Sequence, residues 1–404
     1  MKVLFLSPQS FYVDRGTPIA VRFLLHFFSR RGWQVDALVF PGGRELSIPG
    51  VRFFRTSSKS VNVPLPPGFT FRKLFQDVKL FFLARKRLRE EPYDYIHAVE
   101  ESAFIAALLK RRTGVPFVCD MDSSMPEQLA GKNIFWRVLR PFTRWCESLM
   151  LRSADVVLAV CEGVADRARR AAHGPVLVLP DPPVCGSVPD QPAPAVRTRL
   201  KPEHPAIVYV GNLQGYQGLP LLLKSFRMAL AQIAQACLIV VGGDALEIES
   251  LARKCRRMGI EEHVQFVGAR PLEETPHYLA AADILVSPRL RGENTPMKLY
   301  SYLQAGKPIV ATNISSHTQV LTPETAILTP PEPQALADAL VHLAKDPALR
   351  QRLGQAARHA AETQHSLEAF NAKADEFCRW MEQLVRPPDS SQAVAGRAPR
   401  SQPA

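Results

Sequence analysis

A chain of 404 residues, 46% apolar and 22% charged, exceeds what one small core holds and fits two domains. No run nears the roughly 18 apolar residues that span a bilayer, and Val3-Leu4-Phe5-Leu6 stops at Ser7-Pro8, too early for a signal-peptide core. The formal charge of +12 lies mostly in residues 1–185, where 27 Lys and Arg face 17 Asp and Glu, so an anionic partner is expected. Nucleic acid is excluded as that partner, because no zinc-finger, RNP or basic-zipper pattern occurs. Seven scattered cysteines read as reduced thiols of a cytosolic protein and imply no zinc site.

Lys2 to Ser7 is apolar at nearly every position, as a strand covered on both faces requires. A loop bearing Gly16-Thr17-Pro18, a helix from Ile19 to Arg31, and strands at Gln34–Phe40 and Val51–Arg55 follow. Residues 56–70 are proline-rich loop, and Phe71 to about Arg89 is helical. A strand ends at Tyr95-Ile96-His97, a helix runs from Glu101 to Arg112, and Val115–Cys119 is a strand leading into Asp120-Met121-Asp122. Residues 134–151 are predicted as one helix, and Val156–Val160 and Val176–Leu179 as strands. Residues 186–205 read as a linker. A second series starts at Ala206–Val210, with strands at Cys237–Val241, Val264–Val267, Ala282–Ser287, Pro308–Ala311 and Ala326–Leu328 and helices between them. The last helix spans Leu367–Val385, and the tail from 386 is predicted disordered. Strand, helix, strand at this pace is the signature of doubly wound α/β domains.

In such sheets ligands lie beyond the carboxyl ends of the strands. The most informative loop there is Arg289-Leu290-Arg291-Gly292-Glu293-Asn294-Thr295, followed by a helix expected to open near Pro296 and close at Gly306. Gly211 to Gly218 and Gly268 to Arg270 are further loops that let a backbone approach a phosphate. No G-x-G-x-x-G or P-loop pattern is present, which argues against dinucleotide oxidoreductases and P-loop ATPases. His97, at a strand end beside Glu100, reads as a base, a hydrogen bonder or a structural cap, and Asp120 and Asp122 alternate at a strand exit.

Glu293-Asn294-Thr295-Pro296 through Lys298-Leu299-Tyr300-Ser301-Tyr302-Leu303-Gln304-Ala305-Gly306-Lys307-Pro308, supported by Arg15-Gly16-Thr17-Pro18, Tyr216-Gln217-Gly218 and Val264-Gln265-Phe266-Val267-Gly268, resembles the family 4 retaining glycosyltransferases of GT-B type. The resemblance implies two Rossmann-like domains facing across a cleft, and metal-free transfer from a nucleotide sugar, UDP- or GDP-linked, with no further cofactor. It places Glu293 on the donor sugar and puts Ser301 where the family carries a second carboxylate, on the ribose. Asn212 and Gln217 stand where Arg and Lys hold the diphosphate, so Arg289, Arg291 or Lys298 is expected to supply that charge. Phe266 and Arg270 match the nucleobase region, and Asp122 stands where a histidine is expected on the acceptor side. Gly16, Thr17, Gly211, Tyr216, Gly218, Asn294 and Thr295 complete the expected binding set, with Glu293, Asp122 and His97 as the catalytic candidates.

The expected division is an acceptor-side domain at 1–185, a linker at 186–205, a nucleotide-sugar domain at 206–366, a helix at 367–385 returning to the first domain, and the tail at 386–404. A non-hydrolysing epimerase or a non-catalytic sugar-nucleotide-binding protein remain as alternatives. Within residues 71–89, Phe71, Leu74, Phe75, Val78, Phe81 and Phe82 form one stripe, with Arg72, Lys73, Lys79, Lys86 and Arg87 on its flank and back. That pattern suits a helix lying on an anionic membrane, although the same stripe could cover the sheet. The expectation is a cytoplasmic enzyme, peripheral on the inner face of the plasma membrane, with an acceptor that is lipid-linked.

Overall fold

A computed structural model describes residues 1–11, 13, 16–57, 70–130, 134–184, 188–189 and 205–385. Arg15, Cys185, most of the predicted 56–70 loop, most of the linker and the tail lie outside the described residues. The first domain runs β1 (Lys2–Ser10), α1 (Gly16–Arg30), β2 (Gln34–Phe40), β3 (Val51–Arg55), α2 (Phe71–Glu90), β4 (Tyr95–Val99), α3 (Ser102–Thr113) and β5 (Phe117–Met121). It continues through α4 (Met125–Ala130), α5 (Ile134–Val138), α6 (Arg140–Ser153), β6 (Val156–Ala159), α7 (Glu162–Arg169) and β7 (Val176–Val178). The second runs β8 (Ala206–Val210), α8 (Leu219–Leu230), β9 (Cys237–Val241), α9 (Ala245–Met258), β10 (Val264–Gly268), α10 (Thr275–Ala280) and β11 (Ile284–Ser287). Then come α11 (Lys298–Gln304), β12 (Ile309–Thr312), α12 (Ser315–Thr318), β13 (Ala326–Thr329), α13 (Pro333–Lys345), α14 (Pro347–Gln364) and α15 (Leu367–Val385).

Both sheets are parallel, in the orders β3-β2-β1-β4-β5-β6-β7 and β10-β9-β8-β11-β12-β13. Parallel strands need crossovers, and the crossover helices cover both faces, which is why β1, β2 and β4 are buried along almost their whole length. The direction of winding reverses between β1 and β4 and again between β8 and β11. These two switch points are where the backbone leaves a crevice for ligands. α1 and α15 share one core face of the first sheet, with Phe370, Phe377 and Met381 of α15 packed on Phe28 and Trp33. Arg31 fastens α15 through Glu382 and Asp375. α2, α3, α6 and α7 cover the other face.

The helix predicted over 134–151 is broken at Leu139, where Pro141 lacks an N–H and starts a fresh helix. The helix expected from Pro296 is regular only from Lys298, since Leu299 and Tyr300 bond the carbonyls of Pro296 and Met297 in a tighter first turn. α2 meets the sheet through Leu80 and Ala84, with Phe81, Leu83 and Leu88 of the helix packed beside them and charged residues at the margin. Leu80 and Ala84 are buried, Lys73 pairs with Glu101, and Arg87 pairs with Asp36 and Glu91. Lys73 and Arg87 therefore do not belong to the lipid-facing set read from the sequence. Phe71, Phe75 and Phe82 are 85%, 59% and 59% exposed, whereas Phe81 of the same predicted stripe packs half-buried on the core.

Asp36 on β2 anchors that arrangement. Its carboxylate, 3% exposed, accepts from Arg52 at 2.7 and 2.8 Å, from Arg87 at 2.9 Å and from Tyr93. Burial pushes its pKa up, but the hydrogen bonds from Arg52, Tyr93 and Arg87 outweigh it and hold it below the usual value. A depressed pKa stabilises the fold above the unfolded value near 4, and that gain is lost as pH falls through the folded value. Asp36→Asn should cost roughly 1.5–3 kcal/mol at pH 7, because it removes the buried carboxylate that Arg52, Arg87 and Tyr93 share and leaves the two arginines to Glu90 and Glu91 alone. Urea titrations should show this difference at pH 7 and see it shrink as the pH drops below about 4.

Candidate active site

The second switch point holds the loop read as central. Gly211 follows β8, and Pro288 to Met297 links β11 to α11. Arg289, only 6% exposed, turns back under its own loop: Nε donates to Arg291 O at 2.9 Å, Nη1 to Asn294 O at 3.0 Å and Nη2 to Asn294 Oδ1 at 2.9 Å. Its guanidinium lies 5.3 Å from the Tyr216 ring centre, and its carbonyl accepts from Thr312. Gly292 adopts φ 138° because a Cβ there would stand 2.1 Å from Arg289 Nη2. Gly218, at φ 76°, has Pro288 O where a Cβ would be, and Leu290 N donates to Tyr216 O at 2.9 Å. The glycine loop and the arginine loop are thus one unit.

Lys298 opens α11 inside that unit. Its Nζ donates to Gln217 Oε1 at 3.2 Å and sits 4.0 Å from the Tyr209 ring centre, next to Gly211. Burial, reinforced by Arg289, pushes its pKa well below the usual lysine value. Among the described residues, neither Arg289 nor Lys298 forms a salt bridge. Two neighbouring cations without a carboxylate make a site for a bound anion. Arg291 is exposed on the loop rim, and Ser301 is buried within α11. Asn212 is exposed and uses Oδ1 on Gln214 N at 3.2 Å. Thr295 is buried with its hydroxyl unpartnered. Tyr302, read from the sequence only as part of the helix, accepts from Val210 N at 2.9 Å and closes the crevice between β8 and β11. Phe266 packs half-buried on the core, while Arg270 is exposed beyond β10, two strands from β8.

Glu293 faces the first domain. Its Oε1 accepts from Arg167 of α7, and its Oε2 is buried without a partner. Its carbonyl accepts from Gln319 Nε2 at 2.8 Å.

Carboxylates gather at the first switch point. Glu100, just after β4, holds a left-handed φ of 49°, a strained value for a residue with a side chain. Its Oε1 accepts from Ser123 at 3.1 Å. Asp120, Asp122 and Asp181 line a cavity of about 30 Å³ together with Leu24, Pro180 and Phe370. Burial, then Asp120, Glu100 and Asp181, raise the Asp122 pKa well above normal against a hydrogen bond from Thr17. Burial raises Asp181 to about 7, with Asp120 adding to it, and raises Glu100 to about 7, with Glu101 adding to it. For Asp122 the direction favours the protonated carboxyl, which can donate a hydrogen bond as well as accept one. Gly16 stands exposed at the start of α1.

His97 does not reach the cleft surface. It is fully buried, stacked 4.5 Å from the Phe5 ring and edge-on to Phe28 and Phe377, and its Nε2 lies 2.9 Å from Asp120 Oδ2. Asp181, Arg167 and Gln319 escaped the sequence reading. Asp181 carries a faint signal, an acid enclosed by prolines just after a strand, but the other two have none.

The family described as Glycosyl transferase 4-like domain matches residues 15–182, and that described as Glycosyl transferases group 1 matches residues 193–360. The chain is a glycosyltransferase of the GT-B fold. It is related to these two families, and it transfers sugar from a nucleotide-sugar donor to an acceptor. It is 26% identical to the phosphatidyl-myo-inositol mannosyltransferase of Mycobacterium leprae over 87% of this chain and 90% of that one. Identity to the alpha-D-kanosaminyltransferase of Streptomyces kanamyceticus is also 26%, over 70% of this chain and 77% of that one. The fold matches a sucrose-phosphate synthase from Thermosynechococcus elongatus with TM-score 0.78 at 22% identity, covering 95% and 99% of the two chains. It also matches Anabaena HepE with UDP and glucose, at TM-score 0.71 and 18% identity over 94% and 99%.

Gly292→Ala tests the folded-back arginine of this glycosyltransferase. The added methyl must displace the Arg289 guanidinium, so stability should drop by roughly 1–3 kcal/mol and the anion site should loosen. Calorimetry with UDP and GDP should show at least tenfold weaker binding of whichever the wild type holds.

Proposed function

We propose that this protein is a retaining, metal-independent enzyme of family 4 type, transferring sugar from UDP- or GDP-sugar to a hydroxyl of a lipid-borne acceptor. The observation that carries the reading is the pair Arg289 and Lys298, buried beside Gly211 and Gln217 without a carboxylate partner. A diphosphate at the β8–β11 crevice supplies the missing counter-charge, in the place where Asn212 and Gln217 lack it. A nucleoside extending from it lies along β9 toward Phe266, Gly268 and Arg270 at the sheet edge, about 10 Å away at ~4.8 Å per strand.

In the step itself the C1–O bond of the donor breaks and its electron pair goes to the diphosphate oxygen. Lys298 and Arg289 stabilise the charge that grows there, and the leaving group makes Lys298 fully cationic. The acceptor hydroxyl attacks the same face of the sugar and passes its proton to the departing phosphate oxygen. The raised pKa of Asp122, held by burial and by Asp120, Glu100 and Asp181, fits a route that needs no protein base, and leaves Asp122 and Thr17 to orient the acceptor. His97 acts at one remove, by holding Asp120. Glu293 Oε2 accepts a donor-sugar hydroxyl, and domain closure keeps water from the reactive carbon.

The test is product analysis. Nucleoside diphosphate should be released together with a glycosylated acceptor, and Glu293→Ala should lower kcat/KM at least tenfold in a folded protein. An epimerised nucleotide sugar, or binding with no product, would overturn the assignment.

The acceptor reading rests on the surface of the first domain and on relatives named for phosphatidylinositol substrates. Phe71, Leu74, Phe75, Val78 and Phe82 are exposed on α2, flanked by Arg72, Lys79 and Lys86. On α5 and α6, Val138, Phe142, Trp145 and Leu149 form a second exposed stripe, with Arg137, Arg144 and Arg152 around it. Both stripes lie on the helical layer that covers the same face of the sheet. Exposed aromatics ringed by cations suit an anionic leaflet on the cytoplasmic side. No helix among the described residues is long and apolar enough to cross a membrane. The protein should sediment with anionic vesicles, release partly at high salt, and lose binding when Arg72, Lys79, Lys86 and Arg89 become glutamine. Equal binding to neutral and anionic vesicles would count against the surface.

A further inference from the structure

Glu293 belongs to the second domain, yet its side chain is held by the first. Arg167 Nη2 bonds Glu293 Oε1, and Arg167 Nη1 donates to Glu127 Oε1 at 3.2 Å. Glu127 in turn receives Arg140 at 2.5 Å and Arg144 at 3.2 Å, so Arg167 is fixed from α4 and α6 as well as from its own helix. A second bridge runs alongside. Gln319 Oε1 accepts from Gly163 N at 2.7 Å while its Nε2 donates to the Glu293 carbonyl, and Cys161 Sγ lies 3.7 Å from that same carbonyl. Both the carboxylate and the backbone of one residue are thus gripped across the cleft. The outcome is asymmetric: Oε1 is satisfied, and Oε2 is buried with no hydrogen-bond partner. A buried acceptor atom left unpaired is destabilising, and a ligand hydroxyl donating to Oε2 would relieve it.

We propose that Arg167 is a positioning residue for Glu293, with Gln319 as its backbone counterpart, so that the sugar-accepting oxygen is correctly aimed only when the two domains are closed. The inference rests on the reading above that Glu293 touches the donor sugar, and it adds the first domain to donor recognition. Arg167 acts on the sugar and not on the nucleotide, because it contacts neither Lys298 nor the Gly211–Gly218 loop. Its loss lets the Glu293 side chain swing and removes the bond that keeps Oε1 from competing for the hydroxyl.

The experiment pairs calorimetry with turnover for wild type, Arg167→Gln, Arg167→Lys, Gln319→Ala, Glu293→Gln and the Arg167→Gln/Glu293→Gln double variant. The probes are UDP, GDP, UDP-glucose and GDP-mannose, with nucleoside diphosphate release as the rate, and thermal melts confirm that each variant is folded. Arg167→Gln should bind free nucleoside diphosphate within twofold of wild type, yet lose about tenfold in affinity for the nucleotide sugar and in kcat. Arg167→Lys should recover part of the loss, and Gln319→Ala should show a smaller loss of the same kind. The double variant should be no worse than Glu293→Gln alone, since coupled residues are not additive. Equal weakening of nucleotide and nucleotide sugar, wild-type behaviour of Arg167→Gln, or additive losses in the double variant would overturn the proposal. Glu293→Gln with unaltered nucleotide-sugar binding and turnover would instead remove the reading of Glu293 on which it stands.

Discussion

The Arg289 guanidinium, folded back beneath its own loop, is the interaction on which the donor half depends. Three of its five N–H groups are spent on the loop carbonyls and on Asn294, so the charge is held in place rather than free to search. Because Tyr216 stacks on it and Thr312 bonds its carbonyl, the loop after β11 is tied to the glycine loop and to β12 together. Glu293 and Lys298 are four and nine residues further along, and both inherit their positions from this fold-back. Gly292 is the local requirement for it. A buried cation held by carbonyl dipoles keeps its charge at a cost, and that cost is offset when an anion arrives.

The two switch points carry opposite chemistry. One gathers cations that lack a carboxylate partner, the other gathers carboxyls whose burial and mutual repulsion raise their pKa values. At an effective dielectric near 20, two like charges 4 Å apart repel by about 4 kcal/mol, enough to keep a close acid cluster partly neutral. The raised pKa values lower the negative charge this wall carries, which acts in the same sense as the cations opposite.

Strands and crossovers were readable because buried parallel strands leave continuous apolar runs, as in Val3 to Leu6 and Val208 to Val210, and because glycines mark where helices stop. The donor loop was readable since its charges, glycine and proline are consecutive in the chain. Contacts between distant segments were not. Arg167 sits in a helix of ordinary polar composition, Gln319 in a short turn, and nothing local announces that both meet Glu293. Of the three readings of His97 the structure shows the hydrogen bonder, on Asp120; its place at a strand end suggests the cleft, but the aromatic rings of Phe5, Phe28 and Phe377 that bury it come from three other elements. The start of α11 and the break at Leu139 turned on which carbonyl each N–H selects, a choice that composition does not record.

α2 shows where periodicity informs and where it stops. A 3.6-residue stripe states that a helix has two faces, but not which of them meets the sheet. Here the sheet side takes Lys73, Asp77, Leu80, Ala84 and Arg87; Glu101 pairs with Lys73 and Asp36 and Glu91 pair with Arg87, while burial and Glu101 push Asp77 up to about 7. The outward side keeps Phe71, Leu74, Phe75, Val78 and Phe82 in solvent. At roughly 1.5–3 kcal/mol for each large apolar side chain, turning the helix over would bury of order 10 kcal/mol of hydrophobic surface. It would also take Lys73 from Glu101 and Arg87 from Asp36, which would keep only Arg52 and Tyr93, at about 1.5–3 kcal/mol for each charge-assisted bond lost. Lys73 and Arg87 are thus committed to ion pairs on the sheet side of the helix, and the aromatic stripe on the other side stands exposed.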